Sequence, residues 1–133
     1  MLLRRELTRI GLRYRVDVAA LPGRPDVVLS RARIALFCDG DFWHGRNWRA
    51  RKAKLSQGSN SAYWLAKIGT NRKRDRLHNR ALERQGWLVV RVWESTVKAN
   101  PALVAERIAR LARQRARLSD QGKALPTSVL QAD

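Results

Sequence analysis

The sequence predicts a single mixed α/β domain in which a central sheet is flanked by helices. Three observations predict this class. The length of 133 residues suits one domain, and a hydrophobic content of 44% is sufficient for a core. Apolar patterns of the helix type and of the strand type alternate along the chain. We expect residues 1–118 to form the domain and residues 119–133 to form a flexible C-terminal tail.

The first third of the chain is predicted to contain one short helix and three strands. Apolar residues recur at helical spacing over residues 2–10, which predicts the helix. Apolar and charged residues alternate over residues 12–18, which predicts a half-buried strand. Turn residues at 21–25 separate it from two short apolar runs, at 26–29 and 33–38, which predict the second and third strands.

The remainder is predicted to contain a loop, a long helix, a strand and a last helix. Residues 45–60 are basic and rich in Gly, Ser and Asn, which predicts a surface loop. Residues 61–85 predict the long helix, and the continuous apolar run at 87–93 predicts a central strand. Pro101 suits the first turn of a last helix that continues to about residue 118.

The charge balance points to a polyanionic partner. The chain has 28 basic and 11 acidic residues, a formal net charge of +17, and such an excess favours nucleic acid. The sequence shows no apolar run long enough to span a bilayer and no signal peptide. Cys38 is the only cysteine, which excludes an intramolecular disulfide and a cysteine-rich zinc ribbon. We expect a reduced cytoplasmic protein associated with the nucleoid.

Asp26 lies in the segment LPGRPDVVL, directly after turn residues and at the start of a predicted strand. A carboxylate at this place is suited to bind a metal ion at the edge of a sheet. The alternative is that Asp26 only caps the turn, as aspartates next to Pro and Gly commonly do. This segment alone favours the turn cap.

The segment FCDGDFWHG places three polar side chains directly after a buried strand. The carboxylates of Asp39 and Asp41 suit a hard divalent cation such as Mg²⁺ or Mn²⁺, and the imidazole of His44 suits a general base. Phe42 and Trp43 can either fill the core or enter a base stack as wedges. Taken alone, the segment leaves the catalytic and the structural interpretations open.

One face of the predicted long helix is polar in its middle and apolar at both ends. Steps of four and three place these residues on it: Trp64, Ile68, Asn71, Asp75, His78 and Leu82. Because buried polar groups need partners, we expect this face to meet a polar site. The alternative is that Asp75 pairs with a neighbouring basic residue at the surface.

Basic and aromatic residues are interleaved around these segments. The basic ones are Arg46, Arg49, Arg51, Lys52, Lys54, Lys67, Arg72, Lys73, Arg74 and Arg76, and the aromatic ones are Trp48, Tyr63 and Trp64. Cations contact phosphates and flat rings stack on bases, so the pattern predicts a nucleic-acid surface. The alternative, a solvated basic face, is less favoured because few acidic residues compensate the charge.

In their order and spacing, the segments LPGRPDVVL, FCDGDFWHG, YWLAKIGTNRKRDR and GWLVVRVWE resemble the very short patch repair (Vsr) mismatch endonucleases. The resemblance covers about residues 2–95. It implies a restriction-endonuclease-like fold of three layers, related to the PD-(D/E)XK nucleases. It also implies Mg²⁺-dependent cleavage of double-stranded DNA in mismatch repair.

The resemblance further implies roles for single residues. Asp26 matches a magnesium-binding aspartate, and Cys38 matches a position whose backbone carbonyl binds the metal. His44 matches the histidine that activates water, and Asp75 matches a carboxylate near the active site. The aromatic residues that intercalate beside a mismatch correspond to Phe42, Trp43 and Trp64.

The chain departs from this family at its zinc site. The family holds a structural zinc with three cysteines and a histidine, and the matching residues are here Asp41, Arg46, Trp48 and Ser95. We therefore expect no structural zinc. Instead, Arg46 can pair with Asp41, and Trp48 can fold back against the sheet.

A second departure concerns a glutamate on the family's first helix, which by alignment would precede Met1. Three explanations are open. Another acid, Asp39 or Asp41, completes the metal site, or the start of the protein lies upstream, or the activity is reduced.

The sequence therefore predicts a Mg²⁺- or Mn²⁺-dependent DNA endonuclease that is expected to nick DNA. The alternative is a non-catalytic or weakly active DNA-binding subunit of a restriction or defence complex on the same fold. A basic structural RNA-binding protein would explain the charge but not the order of the motifs. Partner proteins from a repair or defence system are left open.

The predicted site residues fall into three groups. The catalytic residues are Asp26, His44 and Asp75, and the metal ligands are Asp26, the Cys38 carbonyl, Asp39 and Asp41. The DNA-binding residues are Phe42, Trp43, Trp64, Arg46, Arg49, Asn71, Arg72 and Arg74.

Overall fold

The computed structural model describes residues 2–55, 57–58 and 60–132. In chain order its elements are α1 (Leu2–Arg9), β1 (Arg15–Val16), β2 (Val27–Leu29), β3 (Ile34–Asp39), α2 (Trp48–Leu55), α3 (Ser61–Arg84), β4 (Leu88–Trp93), α4 (Glu94–Ala99), α5 (Pro101–Asp120) and β5 (Val129–Ala132). The strands form one sheet in the order β1-β2-β3-β4-β5. β1, β2 and β3 pair antiparallel, whereas β3, β4 and β5 pair parallel.

Helices cover both faces of this mixed sheet, so the fold has three layers. On one face, Leu7 of α1 and Ile108 of α5 pack with Leu36 in a buried cluster. On the other face, Leu82 of α3 packs with Val89 in a second buried cluster. The α/β class and the restriction-endonuclease-like arrangement that the sequence predicts are confirmed. Within the described ranges, every helix is too short or too polar to span a bilayer.

The parallel pairing of β3 with β4 determines where polar side chains meet. Its register sets Phe37 opposite Arg91 and Asp39 opposite Trp93. The loop that follows β3 and the start of α4 therefore lie at the same edge of the sheet. Because β2 is antiparallel to β3, the beginning of β2 lies at this edge as well.

The first strand is shorter than the sequence predicts. Only Arg15 and Val16 pair in β1, although alternation extends over residues 12–18. Asp17 has a φ of 47°, in the left-handed region, which ends the extended backbone. As a result Val16 is exposed, and Val18 packs into the cluster beneath α3.

The prediction of a loop throughout residues 45–60 was wrong for the part that forms α2. This helix, WRARKAKL, is made largely of good helix formers, Arg, Lys, Ala and Leu. It has no apolar stripe, so a search for apolar periodicity could not detect it. The short helix α4, which begins directly after β4, was also not predicted.

The segment predicted as a C-terminal tail contains a strand. Helix α5 continues to Asp120, and β5 then pairs with β4 at the edge of the sheet. The buried side chain of Arg115 donates to the carbonyl oxygens of Ala32 and Pro126, which connects α5 to the segment before β5. The four residues of β5 are too few to produce a clear pattern in the sequence.

Candidate active site

His44 and Asp75 form the shortest polar contact of the site. His44 lies in the loop after β3, Asp75 lies on α3, and Nδ1 of the imidazole is 2.6 Å from Oδ2 of the carboxylate. Since an ionised carboxylate only accepts, Nδ1 carries the proton and Nε2 of a neutral ring is left as a base. The hydrogen bond that His44 donates to Asp75 raises the pKa of His44, although burial opposes this shift. The predicted inward orientation of Asp75 is confirmed.

A buried ion pair lies behind this contact. Nη1 of Arg91 donates to both oxygens of Asp39, at 3.0 and 3.1 Å, and lies 3.7 Å from Oδ1 of Asp75. Nε of Arg91 donates to Oδ1 of Asn79 at 2.8 Å. Asp39 and Arg91 are each only 4% exposed. Burial raises the pKa of Asp39 even though Arg91 opposes this shift.

Sequence reasoning missed Arg91 and Asn79. The available signal was a single arginine in the otherwise apolar strand LVVRVW, all of whose residues are buried. A charged side chain inside such a strand needs a partner of opposite charge. Which acid it meets depends on the register of β3 and β4.

Asp39, His44 and Asp75 together offer ligand atoms within 4.8 Å of one another. This spacing alone would allow a metal ion. However, Nδ1 of His44 is already bonded to Asp75, and the guanidinium of Arg91 already neutralises Asp39. A divalent cation here would be repelled by the positive guanidinium of Arg91. The three side chains therefore suit a hydrogen-bonded acid–base set better than a metal site.

Asp26 offers a different set of oxygen atoms. It precedes β2, and its Oδ2 accepts a hydrogen bond from the backbone amide of Cys38 at 2.7 Å. Within the described part of the chain, its Oδ1 accepts no hydrogen bond. Burial raises the pKa of Asp26, and the Cys38 amide opposes the shift. A carboxylate such as that of Asp26 supplies the kind of oxygen ligand that hard divalent cations prefer.

The thiol of Cys38 is not suited to binding such a cation. Its side chain packs against the cluster shared by α1 and α5. Burial and nearby carboxylates raise its pKa to about 11. The thiol is therefore protonated at neutral pH, and only the backbone of Cys38 can serve the site.

Asp41 is fully engaged by its neighbours. Its Oδ2 contacts Nη1 of Arg46 at 2.9 Å and Oγ of Ser95 at 2.5 Å, and its Oδ1 accepts from the Ser95 amide at 3.1 Å. Although burial acts to raise it, these hydrogen bonds lower the pKa of Asp41 to about 2. The predicted pairing of Arg46 with Asp41 is confirmed. The ring of Trp48 lies 5.2 Å from the Arg72 guanidinium of α3, and its packing against the sheet remains a prediction.

The aromatic side chains form one cluster at the surface. The ring centroids of Phe42 and Trp43 are 5.1 Å apart, and Trp64 lies 5.7 and 5.5 Å from them. Tyr63 extends the cluster from Trp64, at 4.9 Å, and is 56% exposed. Trp43 is 41% exposed. All four residues lie outside both buried clusters, which supports an exposed wedge over a core plug.

Helix α3 contacts both the loop that follows β3 and the turn that precedes β2. Nδ2 of Asn71 donates to the carbonyl oxygen of Trp43 at 3.0 Å. A Cβ atom on Gly45 would lie 2.6 Å from Cδ of Arg72, and one on Gly23 would lie 2.9 Å from Nδ1 of His78. Both glycines have positive φ, so these close approaches require glycine. Asn71 and Arg72 thus support the loop after β3, in addition to their predicted contact with DNA.

Cationic side chains surround the aromatic cluster. Nζ of Lys67 lies 5.3 Å from the Trp43 ring and 5.8 Å from the Tyr63 ring. The Arg51 guanidinium lies 5.6 Å from the Phe42 ring. Arg49 and Arg74, both predicted to bind DNA, are exposed. The combination of cations and exposed rings fits a nucleic-acid surface.

Comparison with known proteins identifies relatives. A family model described as DNA mismatch endonuclease Vsr matches residues 1–50. The Type II nicking enzyme V.NmeDIP of Neisseria meningitidis serogroup C is 37% identical over 110 residues, which cover 83% of this chain and 73% of that protein. V.HpaIIP of Haemophilus parainfluenzae, also a Type II nicking enzyme, is 41% identical over 76% of this chain and 70% of its own length. The DNA mismatch endonuclease Vsr of Escherichia coli (strain K12) is 39% identical over 75% of this chain and 62% of its own length.

Proposed function

The chain belongs to the Vsr family of DNA mismatch endonucleases and is a DNA endonuclease, and we propose that it nicks double-stranded DNA in a Mg²⁺-dependent reaction. The observation that carries this proposal is the 2.6 Å contact between His44 and Asp75. It lies at the edge of the sheet where β3 ends and where Asp26 precedes β2. This edge thus combines a general base with an oxygen-ligand set.

Asp26 and the backbone carbonyl of Cys38 would hold the Mg²⁺ ion. Mn²⁺ suits the same oxygen ligands. When bound, the ion polarises the scissile phosphate and stabilises the charge that develops on it. We assign Asp39 and Asp41 to other tasks, because Arg91 and Arg46 already engage their carboxylates.

His44 acts as the general base. Nε2 of its neutral ring accepts a proton from the attacking water, while Nδ1–H remains bonded to Asp75. The Asp75 carboxylate orients the ring and stabilises the imidazolium that forms, as carboxylates do in other base–carboxylate pairs. Arg91 lies 3.7 Å from the second Asp75 oxygen and thus helps to hold this carboxylate in place.

The surface around the base binds the duplex. Exposed arginines such as Arg49 and Arg74 contact phosphates, which positions the backbone without reading the sequence. Phe42, Trp43 and Trp64 enter the base stack as a wedge. Such a wedge is suited to a duplex that is already weakened, as at a mismatch.

The test is the conversion of supercoiled plasmid to open circles. With Mg²⁺ the protein should produce open circles, whereas with EDTA the plasmid should stay supercoiled. His44→Ala is the matched control, since it removes the base and leaves the DNA-binding surface intact. Binding without any open circles would instead support the non-catalytic DNA-binding alternative, and undiminished cleavage in EDTA would exclude the metal mechanism.

A further inference from the structure

We propose that Asp41, Arg46 and Ser95 form a clamp that fixes the loop carrying His44 and two residues of the aromatic wedge, Phe42 and Trp43. In this proposal the three side chains are positioning residues for DNA cleavage. The proposal deepens the proposed function and rests on it, because the loop matters only if His44 is the base. It also replaces two earlier expectations, that Asp41 binds the metal and that Arg46 binds DNA.

Each pair within the clamp is in direct contact. Arg46 Nη1 lies 2.9 Å from Oδ2 of Asp41 and 2.6 Å from Oγ of Ser95. Oγ of Ser95 lies 2.5 Å from the same Asp41 oxygen, and its amide donates to the other oxygen at 3.1 Å. The Ser95 hydroxyl can therefore donate to the carboxylate and accept from the guanidinium at once.

The clamp joins the two ends of a short loop. The amide of Arg46 donates to the carbonyl oxygen of Asp41 at 2.9 Å, so backbone and side chains join the same two residues. Phe42, Trp43 and His44 lie between them in the sequence. Any movement of the clamp therefore moves the two wedge residues of this loop, Phe42 and Trp43, together with the general base His44.

Ser95 connects this loop to a rigid part of the fold. It belongs to α4, which begins directly after the fully buried strand β4. The same strand carries Arg91, which contacts Asp75 across the site. On the opposite side, Asn71 of α3 holds the Trp43 carbonyl. The loop is thus attached on two sides, and the 2.6 Å contact of His44 with Asp75 depends on both attachments.

The clamp is better suited to placing the loop than to stabilising the fold. The side chains of Arg46 and Asp41 are 28% and 22% exposed, and partly exposed ion pairs contribute little to stability. In contrast, a displacement of about 1 Å in a catalytic group can cost about 10²-fold in rate. A clamp therefore predicts a loss of rate with little loss of stability.

The first experiment measures single-turnover nicking at saturating DNA for Arg46→Met and Ser95→Ala. We expect each variant to be about 10- to 100-fold slower than the wild type, with the DNA dissociation constant unchanged within about threefold. Ser95→Thr retains the hydroxyl and should recover most of the rate. Lys98→Met breaks the exposed Glu94–Lys98 pair on α4, at 3.1 Å, and is the matched control that should nick normally.

Two outcomes would overturn the proposal. Rates within about twofold of the wild type, in a preparation where His44→Ala is inactive, would show that the clamp has no role. A loss confined to DNA affinity, with the saturated rate unchanged, would show that Arg46 is a phosphate ligand instead.

A second measurement does not depend on activity. Hydrogen exchange at the amides of His44 and Arg46, which donate within the loop, should be about tenfold faster in Ser95→Ala, while β4 amides stay protected. If the wild type does not nick DNA but exchange responds in this way, the clamp stands and the proposed function fails. Unchanged exchange at both amides would refute the clamp, whatever the activity.

Discussion

Nδ1 of His44 lies 2.6 Å from Oδ2 of Asp75, although 31 positions of the sequence separate the two residues. Helix α3 brings the carboxylate to the loop that follows β3, and the contact settles the tautomer of the imidazole. The nitrogen on the far side of the ring is then free of its proton in the neutral state. A base held in this way is prepared to take a proton from water without rearranging.

The pH dependence of nicking should reflect this contact. The Asp75 hydrogen bond raises the pKa of His44 above its ordinary value of 6.5, and a base works only when it is neutral. The rate should therefore fall as the pH drops through a value above 6.5. In Asp75→Asn the main cause of the shift is lost, so this fall should move to lower pH and the plateau rate should decrease. A pH–rate profile identical to that of the wild type would show that Asp75 does not act on His44.

Arg91 should contribute strongly to stability. In Arg91→Met the buried carboxylate of Asp39 loses both hydrogen bonds from Nη1. Leaving one partner of a buried ion pair without its counterion typically costs about 3–5 kcal/mol of unfolding free energy. The double variant Asp39→Asn/Arg91→Met also removes the unpaired negative charge of Asp39, so it should recover part of the lost unfolding free energy. Urea denaturation of the three proteins checks this, and equal stability of the single variant and the wild type would contradict it.

Phe42 should matter for cleavage more than for folding. Its ring contacts Trp43 and Trp64 in a cluster outside both buried cores. Phe42→Ala should therefore slow nicking while the thermal midpoint stays nearly unchanged. A loss of about 3–5 kcal/mol in unfolding free energy, typical of a buried aromatic residue, would favour a role in the core instead.

DNA binding should depend strongly on salt. The net charge of +17 and the exposed arginines around the site predict that several phosphates are neutralised. Neutralising Z phosphates of duplex DNA gives a log–log slope of about −0.9Z, so we expect a slope steeper than about −4. Titrations of a fluorescent duplex at several salt concentrations measure it. An affinity that hardly changes with salt would contradict a phosphate-binding surface.

The sequence predicts the elements that have an apolar pattern. The stripe from Trp64 to Leu82 predicts both α3 and the inward direction of Asp75, because helical spacing places side chains on one face. The apolar run of β4 likewise predicts its burial. The short, polar helix α2 has good helix formers but no apolar stripe, so periodicity in the sequence gives no such signal for it.

Contacts between distant residues could not be predicted in the same way. Arg91 and Asp39 are 52 positions apart, and their pairing follows from the parallel register of β3 and β4. Ser95 meets Asp41 across 54 positions for the same reason, since α4 begins where β4 ends. A sequence pattern shows which faces are polar, but the register decides which polar groups meet.

The most direct test of the account is single-turnover nicking by His44→Ala at saturating DNA and Mg²⁺. Loss of a general base should lower the rate by about 10²–10⁴-fold, while the DNA dissociation constant stays within a few-fold of that of the wild type. Circular dichroism of the variant checks that the fold is retained. A variant that binds and nicks DNA at the wild-type rate would show that His44 is structural, and it would contradict the mechanism proposed for this site.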